Sequence, residues 1–416
     1  MKGPAGKVPK EASDNAGLRL TSLHRMPSMI LCVSIGVGGY AMTDINLVNI
    51  GLPNIFGGGS RKDLEAERTA HAETRLALTG LQSRLDEATR SLLERDQSLN
   101  TVRKAFDGEG ELWLKSPIDR PKNYDQRMRS SIPVLLFANL KGGVAKSTLA
   151  GNLSAFFEMK TRDRILAIDL YFQGSLTSML VPTSADRDQL ARGAVSVIGQ
   201  NFDPASLLQI AQAIRGTKND SRIITCGNAF SDHEAALQIK WLIGDFNDDI
   251  RYLLAELILS DVVQKNFDRV IIDAPPRMTT GFVNALCAST HLFIPTVLDQ
   301  LSTDGVKTFL GEFQRLEGRL FPYLKLCGVL GTLKRTRTDN MEESERIAVA
   351  ALKRTLNEKV GSDHYYWEGL TMPRMEAFAR AAGVRVAYPE AAVRDIVEGV
   401  GGKIAEKAPR KDRVGL

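Results

Sequence analysis

The run Pro133-Val134-Leu135-Leu136-Phe137-Ala138-Asn139-Leu140-Lys141-Gly142-Gly143-Val144-Ala145-Lys146-Ser147-Thr148 decides how this chain is read. Residues 133–138 are uncharged and apolar, as a short buried strand requires, and residues 147–160 continue as a helix. A strand that passes through a glycine-rich turn into a helix beginning Lys-Ser is the context a phosphate-binding loop needs. Backbone N–H groups of Gly142, Gly143, Val144, Ala145, Lys146, Ser147 and Thr148, with the positive end of the helix, would cradle a polyphosphate. Lys146 would reach its outer phosphates, and the Ser147 hydroxyl would ligate Mg²⁺. Without Lys-Ser the same turn would be only a tight connection.

Working outward, Val270-Ile271-Ile272 ends in Asp273 and is followed by Ala274-Pro275-Pro276. A carboxylate at the tip of a neighbouring buried strand would hold the Mg²⁺ shell opposite Ser147, a role preferred here over that of a simple cap. Further apolar runs at Arg164–Ile168, His291–Pro295 and Cys327–Thr332 alternate with helical stretches at 147–160, 248–264 and 341–358. Continuous apolar strands separated by helices predict an α/β fold, a mostly parallel sheet covered on both faces.

Together these residues resemble the ParA/MinD group of P-loop ATPases with a deviant Walker A motif, closest to its partition branch. The match rests on Lys141-Gly142-Gly143-Val144 with Lys146-Ser147-Thr148 and on Ile168-Asp169-Leu170 with Gln173-Gly174. It continues through Ile272-Asp273-Ala274-Pro275-Pro276, Asn284-Ala285-Leu286 and Ile294-Pro295. It covers about residues 132–400 and implies a doubly wound P-loop domain. The resemblance further implies ATP and Mg²⁺ as ligands and a homodimer that sandwiches ATP. Lys141 would then reach into the partner's site, Lys146 would act in cis, and Asp169 would orient the attacking water or a water on Mg²⁺. A lysine supplied by a partner adds positive charge where phosphoryl transfer develops negative charge. The group also implies an ATPase-activating partner protein and non-specific DNA as a binding surface.

Two positions depart from that pattern. Ala145 stands where the group has glycine, and a Cβ there is expected to clash with phosphate or to disfavour a positive φ. Tyr171-Phe172 replaces the usual Asp-Pro, which removes a second carboxylate. Both changes are expected to slow hydrolysis, the first also to weaken binding.

The rest of the 416-residue chain is less specific. Lys and Arg (54) against Asp and Glu (49) leave +5, which identifies no partner, and 43% hydrophobic with 25% charged residues describes a globular chain. Cys32, Cys226, Cys287 and Cys327 lie far apart, which excludes a zinc ribbon or dense disulfides and fits a reducing, cytoplasmic compartment. Residues 1–60 form a basic arm followed by a hydrophobic segment. Met26–Thr43 is long enough to span a bilayer, but Pro27, Gly36, Gly38 and Gly39 dilute it. Five preceding basic residues would hold the N-terminus in the cytosol and a single span would then export the nucleotide domain. Residues 26–60 are therefore expected to contact the inner face of a membrane or to bury against a partner protein.

From Arg61 the chain turns charged and lacks proline, and a heptad reading puts Leu64, His71, Leu78, Leu85, Leu92, Leu99 and Phe106 in register. Residues 61–106 are read as a coiled-coil helix, residues 107–131 as a linker, residues 132–400 as the P-loop domain and residues 401–416 as a basic tail. Candidate DNA contacts are Lys334, Arg335, Arg337, Arg346, Lys353 and Arg354, although Glu342, Glu343 and Glu345 interrupt them. Val393, Ile396, Val397, Val400 and Ile404 read as the buried face of a final helix, and Tyr365-Tyr366-Trp367 as a surface or partner contact. These observations predict an ATP-dependent dimerising switch. The alternative is a nucleotide-binding scaffold whose coiled coil and N-terminal segment carry the interactions.

Overall fold

Apolar side chains alternate across five parallel strands, and that alternation builds two cores. A computed structural model describes residues 28–29, 50–51, 60–107, 111–182, 184–335 and 341–411. The chain divides into two compact units, Met1–Glu94 and Arg95–Leu416. The first contains a short antiparallel ladder pairing Ser28–Met29 with Ile50–Gly51. The stretch read as a spanning segment, Met26–Thr43, otherwise lies outside the described residues, as do the basic arm, Cys32, Arg337 and Arg413. Among the described residues, no helix is long and apolar enough to cross a membrane.

Helix α1, Arg61–Asp107, is continuous over 47 residues. The Asp63 carboxylate accepts from the Ser60 N–H at 2.8 Å, which satisfies one of the orphan donors at its start. Its heptad leucines remain exposed: Leu78, for example, keeps 58% of its accessible surface and Leu92 54%.

The second unit holds an eight-stranded sheet. In chain order its strands are β1 (Val134–Phe137), β2 (Ile165–Asp169), β3 (Gln212–Ala213) and β4 (Arg222–Ile224). They continue with β5 (Arg269–Asp273), β6 (His291–Val297), β7 (Lys325–Lys334) and β8 (Met372–Pro373). The spatial order is β8-β7-β6-β1-β5-β2-β4-β3, parallel throughout except for the terminal β3–β4 pair. Alternation sends Val134, Leu136, Ile168 and Ile272 into one core and Leu135, Phe137, Ala167 and Ile271 into the other. At about 1.5–3 kcal/mol per fully buried large side chain, the central strands hold the sheet between its two helix layers. The order turns back on itself at β1, and ligands of open α/β sheets bind beyond the carboxyl ends of strands near such a point.

The five expected strands all form, each within three residues of its expected limits. The stretch read as one helix at 248–264 is instead two short helices, Leu253–Ile258 and Asp261–Asn266, because Ser260 adopts an extended conformation between them. Tyr366 and Trp367 are not a surface contact. They are 4% and 5% exposed, and Trp367 lies over Gly328 of β7, where a Cβ would sit 2.3 Å from its ring. The final helix, Ala391–Lys407, buries Val393, Val397, Val400 and Ile404 as expected.

Residues 111–131 add Trp113, Tyr124 and Met128 to the core. A wholly buried arginine ties this segment down. The Arg251 guanidinium pairs with Asp249 and donates to the backbone carbonyls of Trp113, Lys115 and Pro117. Removing it takes the counter-charge from a buried carboxylate, which keeps only the Asp119 and residue 251 backbone N–H donors, and a donor from each of three carbonyls. Replacement Arg251→Ala is expected to lower unfolding free energy by about 3–5 kcal/mol in a denaturant titration, and a loss below about 1 kcal/mol would refute the clamp.

Candidate phosphate-binding site

The loop between β1 and helix α2 (Lys146–Lys160) is shaped before any ligand arrives. Asn139, fully buried, donates from its amide to the Pro295 carbonyl, and its Oδ1 accepts from the Lys141 N–H at 3.0 Å. This Asx turn starts the loop at the carboxyl end of β1. Gly143 and Ala145 then take left-handed conformations, with φ of 72° and 61°. Val144 between them is buried, and its carbonyl accepts from the Thr332 hydroxyl of β7. The alternating backbone turns N–H groups toward one concavity, an arrangement suited to anions. The Lys146 ammonium, nearly buried, donates to the Lys141 carbonyl at 2.9 Å and so lies folded over the loop. Burial lowers its pKa, opposed by nearby Asp273.

Two carboxylates end adjacent strands beside this loop. Asp169 and Asp273 are register partners at the tips of β2 and β5, and both are essentially inaccessible to solvent. The Asp169 Oδ2 accepts from the Thr177 N–H at 2.8 Å and the Thr177 hydroxyl at 2.9 Å, and its Oδ1 from the Tyr171 N–H at 3.1 Å. Asp273 differs: neither of its oxygens has a partner in good hydrogen-bond geometry, although the Ser147 hydroxyl lies near enough to lower its pKa. Burial raises both acids, most for Asp273, where the Asp169 charge adds to burial and Ser147 and Lys146 oppose it. An orphaned, buried carboxylate beside a hydroxyl and a lysine fits a divalent cation. Mg²⁺ commonly takes one or two protein ligands and completes its shell with phosphate oxygens and water. Ser147 and Asp273 would hold it, and among the described residues there is no cluster of three carboxylate, His or Cys ligands that would bind a metal without the nucleotide.

Lys141 points elsewhere. Its ammonium donates to the Ser302 hydroxyl at 2.8 Å and lies 3.3 Å from Asp299. Asp299 caps helix α3, Gln300–Leu320, by accepting from the Ser302 N–H. Asn139, Thr177, Asp299, Ser302 and Thr332 were not singled out from sequence. The N-cap pattern of Asp299 three residues before Ser302 and the Asx spacing of Asn139 before Lys141 were its available signals. Asn284, part of the resemblance, is structural: its buried amide bridges the Ile250 and Thr280 carbonyls and the Leu254 N–H. Tyr171 and Phe172 stack edge to face at 5.0 Å, half-buried next to Asp169. Of the proposed DNA contacts, Arg335, Arg346 and Lys353 pair with Glu342, Glu343 and Glu368, and Lys334 is buried.

The fold and loop define a P-loop nucleotide-binding protein. Residues 132–326 match the family described as AAA domain. The chain is 28% identical to the sporulation initiation inhibitor protein Soj of Bacillus subtilis over 206 residues, 50% of this chain and 74% of Soj. It is 26% identical to the chromosome-partitioning ATPase Soj of Thermus thermophilus, over 56% of this chain and 80% of that one. In structure it resembles Cyanothece McdA in complex with ATP, with a TM-score of 0.55 and 20% identity over 68% of this chain and 99% of McdA. Cobyrinic acid a,c-diamide synthase of Mycobacterium smegmatis shares the fold with a TM-score of 0.51 and 24% identity over 67% of this chain and 97% of that one. In sequence and fold, residues 132–326 are thus similar to P-loop ATPases of the ParA/MinD type.

Two outcomes follow from the loop. An L-residue in the left-handed region costs about 1–2 kcal/mol, partly offset by the unfolded-state entropy of glycine, so Ala145→Gly is expected to raise unfolding free energy by roughly 0.5–1 kcal/mol. A thermal melt with no gain would mean the loop does not hold this conformation. Because the folded-state pKa of Asp273 is raised, the folded chain keeps a proton that the unfolded chain releases above the ordinary carboxylate range. Its contribution is therefore lost as pH rises toward the raised value. Asp273→Asn is expected to melt at least as high as the wild type at pH 7, with the difference vanishing near pH 4. A variant markedly less stable at pH 7 would contradict the burial of an unpaired charge.

Proposed function

We propose that the chain is an ATP-dependent dimerising switch in partition or positioning, and that ATP and Mg²⁺ bind at the loop 142–148. The observation that carries this reading is the pair of buried strand-end carboxylates beside Lys146 and Ser147. Lys146 would leave the Lys141 carbonyl for the outer phosphates. Mg²⁺ would supply charge neutralisation on the phosphates, with Ser147 and Asp273 as its protein ligands. Asp169 keeps lone pairs for a water although the Tyr171 and Thr177 donors fix its plane. That restraint favours precise placement over mobility, and the aromatic pair at 171–172 adds no second carboxylate.

Lys141 is the residue we assign to a partner's site. In the single chain its ammonium is held by Asp299 and Ser302, so action in trans requires that contact to break as a second copy closes. Helix α1 supports such closure. A heptad row of exposed leucines along 47 residues, on the order of 70 Å, suits a parallel or antiparallel second copy and would raise the local concentration of two nucleotide domains. Residues 26–60 would tether the switch to a membrane or a partner protein. Non-specific DNA, proposed through the region of Arg354, is its candidate surface.

A second reading, a nucleotide-binding scaffold with little turnover, is favoured by Ala145 at φ 61° and by the missing carboxylate at 171–172. Steady-state ATP hydrolysis across a range of protein concentrations separates the two. The switch predicts that Lys146→Ala loses ATP binding and that Lys141→Ala keeps binding but loses hydrolysis by roughly 100-fold, as removal of a charge-stabilising group does. Leu85→Lys with Leu92→Lys should make the rate per chain strongly concentration-dependent. Wild-type hydrolysis in Lys141→Ala would sink the trans assignment, and absent hydrolysis in every form would favour the scaffold.

A further inference from the structure

The opposite end of the sheet carries a second concavity. Its cavity of about 300 Å³ opens at the amino ends of the central strands, between Pro133, His291 and Lys325. The phosphate-binding loop follows the carboxyl end of β1, so the strand itself, about 13 Å long, separates the two. Arg129, His291, Tyr323, Lys325, Arg410 and Lys411 provide the basic and aromatic polar lining, and among the described residues no carboxylate lines the cavity.

The nearby acids are already engaged. Asp163 is buried against Arg269 at 3.1 Å and also pairs with Arg410, and Asp268 pairs with Arg164 and Arg410. Arg410 thus has acidic partners, which it shares with Arg269 and Arg164, and acts as a wall. Three cations have no acidic partner among the described residues. The Arg129 guanidinium lies 5.1 Å from the Tyr323 ring centre and donates to its hydroxyl, and the Lys411 ammonium donates to the Arg129 carbonyl at 2.6 Å. Lys325 is exposed at the start of β7. They come from three segments far apart in sequence, so the concentration of charge is a product of the fold and was invisible in a linear reading.

His291 reports the field that results. Its Nδ1 meets the Thr290 hydroxyl at 2.7 Å. Burial, then the charges of Arg269, Lys325 and Lys411, push its pKa down to about 4. Arg129, Arg410 and Tyr323 also line the same cavity, with Asp163 and Asp268 behind it, so the imidazole stays neutral at physiological pH. Burial likewise lowers the pKa of Lys411. A partly enclosed cavity whose unpaired charges, among the described residues, are all positive is relieved by an anion with several acceptor oxygens, for which a guanidinium and two ammonium groups are matched donors.

We propose that this cavity at the amino end of the sheet binds a phosphate group, remote from the nucleotide loop. Such a group is either a free phosphate or phosphate monoester, or part of a nucleic-acid backbone. The site thereby gives the domain a second anion contact on the face away from ATP.

The test uses the full chain with histidine labelled at Cε1. The chain has 5 histidines, so the His291 resonance is assignable with a His291→Gln variant. Inorganic phosphate, pyrophosphate and a short DNA duplex are titrated separately at constant ionic strength, with chloride as the control. The expected result is a saturable shift of the His291 resonance and a rise of about one unit in its apparent pKa, because a bound anion favours the imidazolium. Response to phosphate or pyrophosphate identifies a small-anion site, and response to the duplex alone identifies backbone phosphate. Lys325→Ser with Lys411→Ser should weaken the response at least tenfold while ATP binding at Lys146 is unchanged. A His291 resonance indifferent to both phosphates at about 10 mM and to the duplex would overturn the proposal.

Discussion

Burial of two carboxylates at adjacent strand tips is the constraint on which the rest of the site depends. Asp169 and Asp273 face each other in register, out of water, at the carboxyl ends of β2 and β5. Two unlike solutions handle the resulting cost. Asp169 is satisfied by the protein itself, through Tyr171 and Thr177, and thereby fixes the turn into the helix that follows β2. Asp273 is left without a partner, and in a buried position that is expensive unless a proton or a cation compensates. Lys146, whose pKa burial lowers, donates to the Lys141 carbonyl. The pocket is thus electrostatically incomplete in a manner that magnesium and a triphosphate would complete.

The same incompleteness accounts for the departures at Ala145 and Tyr171-Phe172. A left-handed alanine is tolerated because the loop is fastened on both sides, by Asn139 at its start and by Thr332 to the Val144 carbonyl. The strain is small compared with the packing that over-determines it. At 171–172 the aromatic pair exchanges a charged side chain for apolar cover beside Asp169. This reduces solvent access at the expense of a second acidic group.

Much of the fold was legible in the sequence, because parallel strands buried on both faces must be continuously apolar and the loop must carry glycine, lysine and serine at set spacing. The strands β3, β4 and β8 were not, since runs of two or three residues have no period. The break at Ser260 was hidden for a related reason: both halves of 248–264 are apolar enough for a helix, and only the backbone of Ser260 separates them. Candidate site residues near the loop were legible through chemistry, whereas Asn139, Thr177, Asp299 and Ser302 act through contacts that sequence distance conceals. The buried Tyr366-Trp367 pair was misread because nothing local signals the space that Gly328 leaves for an indole. Charge was the least legible property. Among the basic residues near 334–354, Arg335, Arg346 and Lys353 pair with glutamates, while Arg129, Lys325 and Lys411 look scattered and converge.

The most direct test of the account is calorimetry of Mg²⁺–ATP binding to the full chain, repeated near pH 6.5 in buffers of different ionisation enthalpy. Raised carboxylate pKa values in the free protein require that binding of the cation expel protons, so the observed heat should vary with buffer and report net proton release. In Asp273→Asn that dependence should largely disappear. Saturable binding whose heat is the same in every buffer, or no binding at all, would contradict a buried, unpaired acid as the centre of this site.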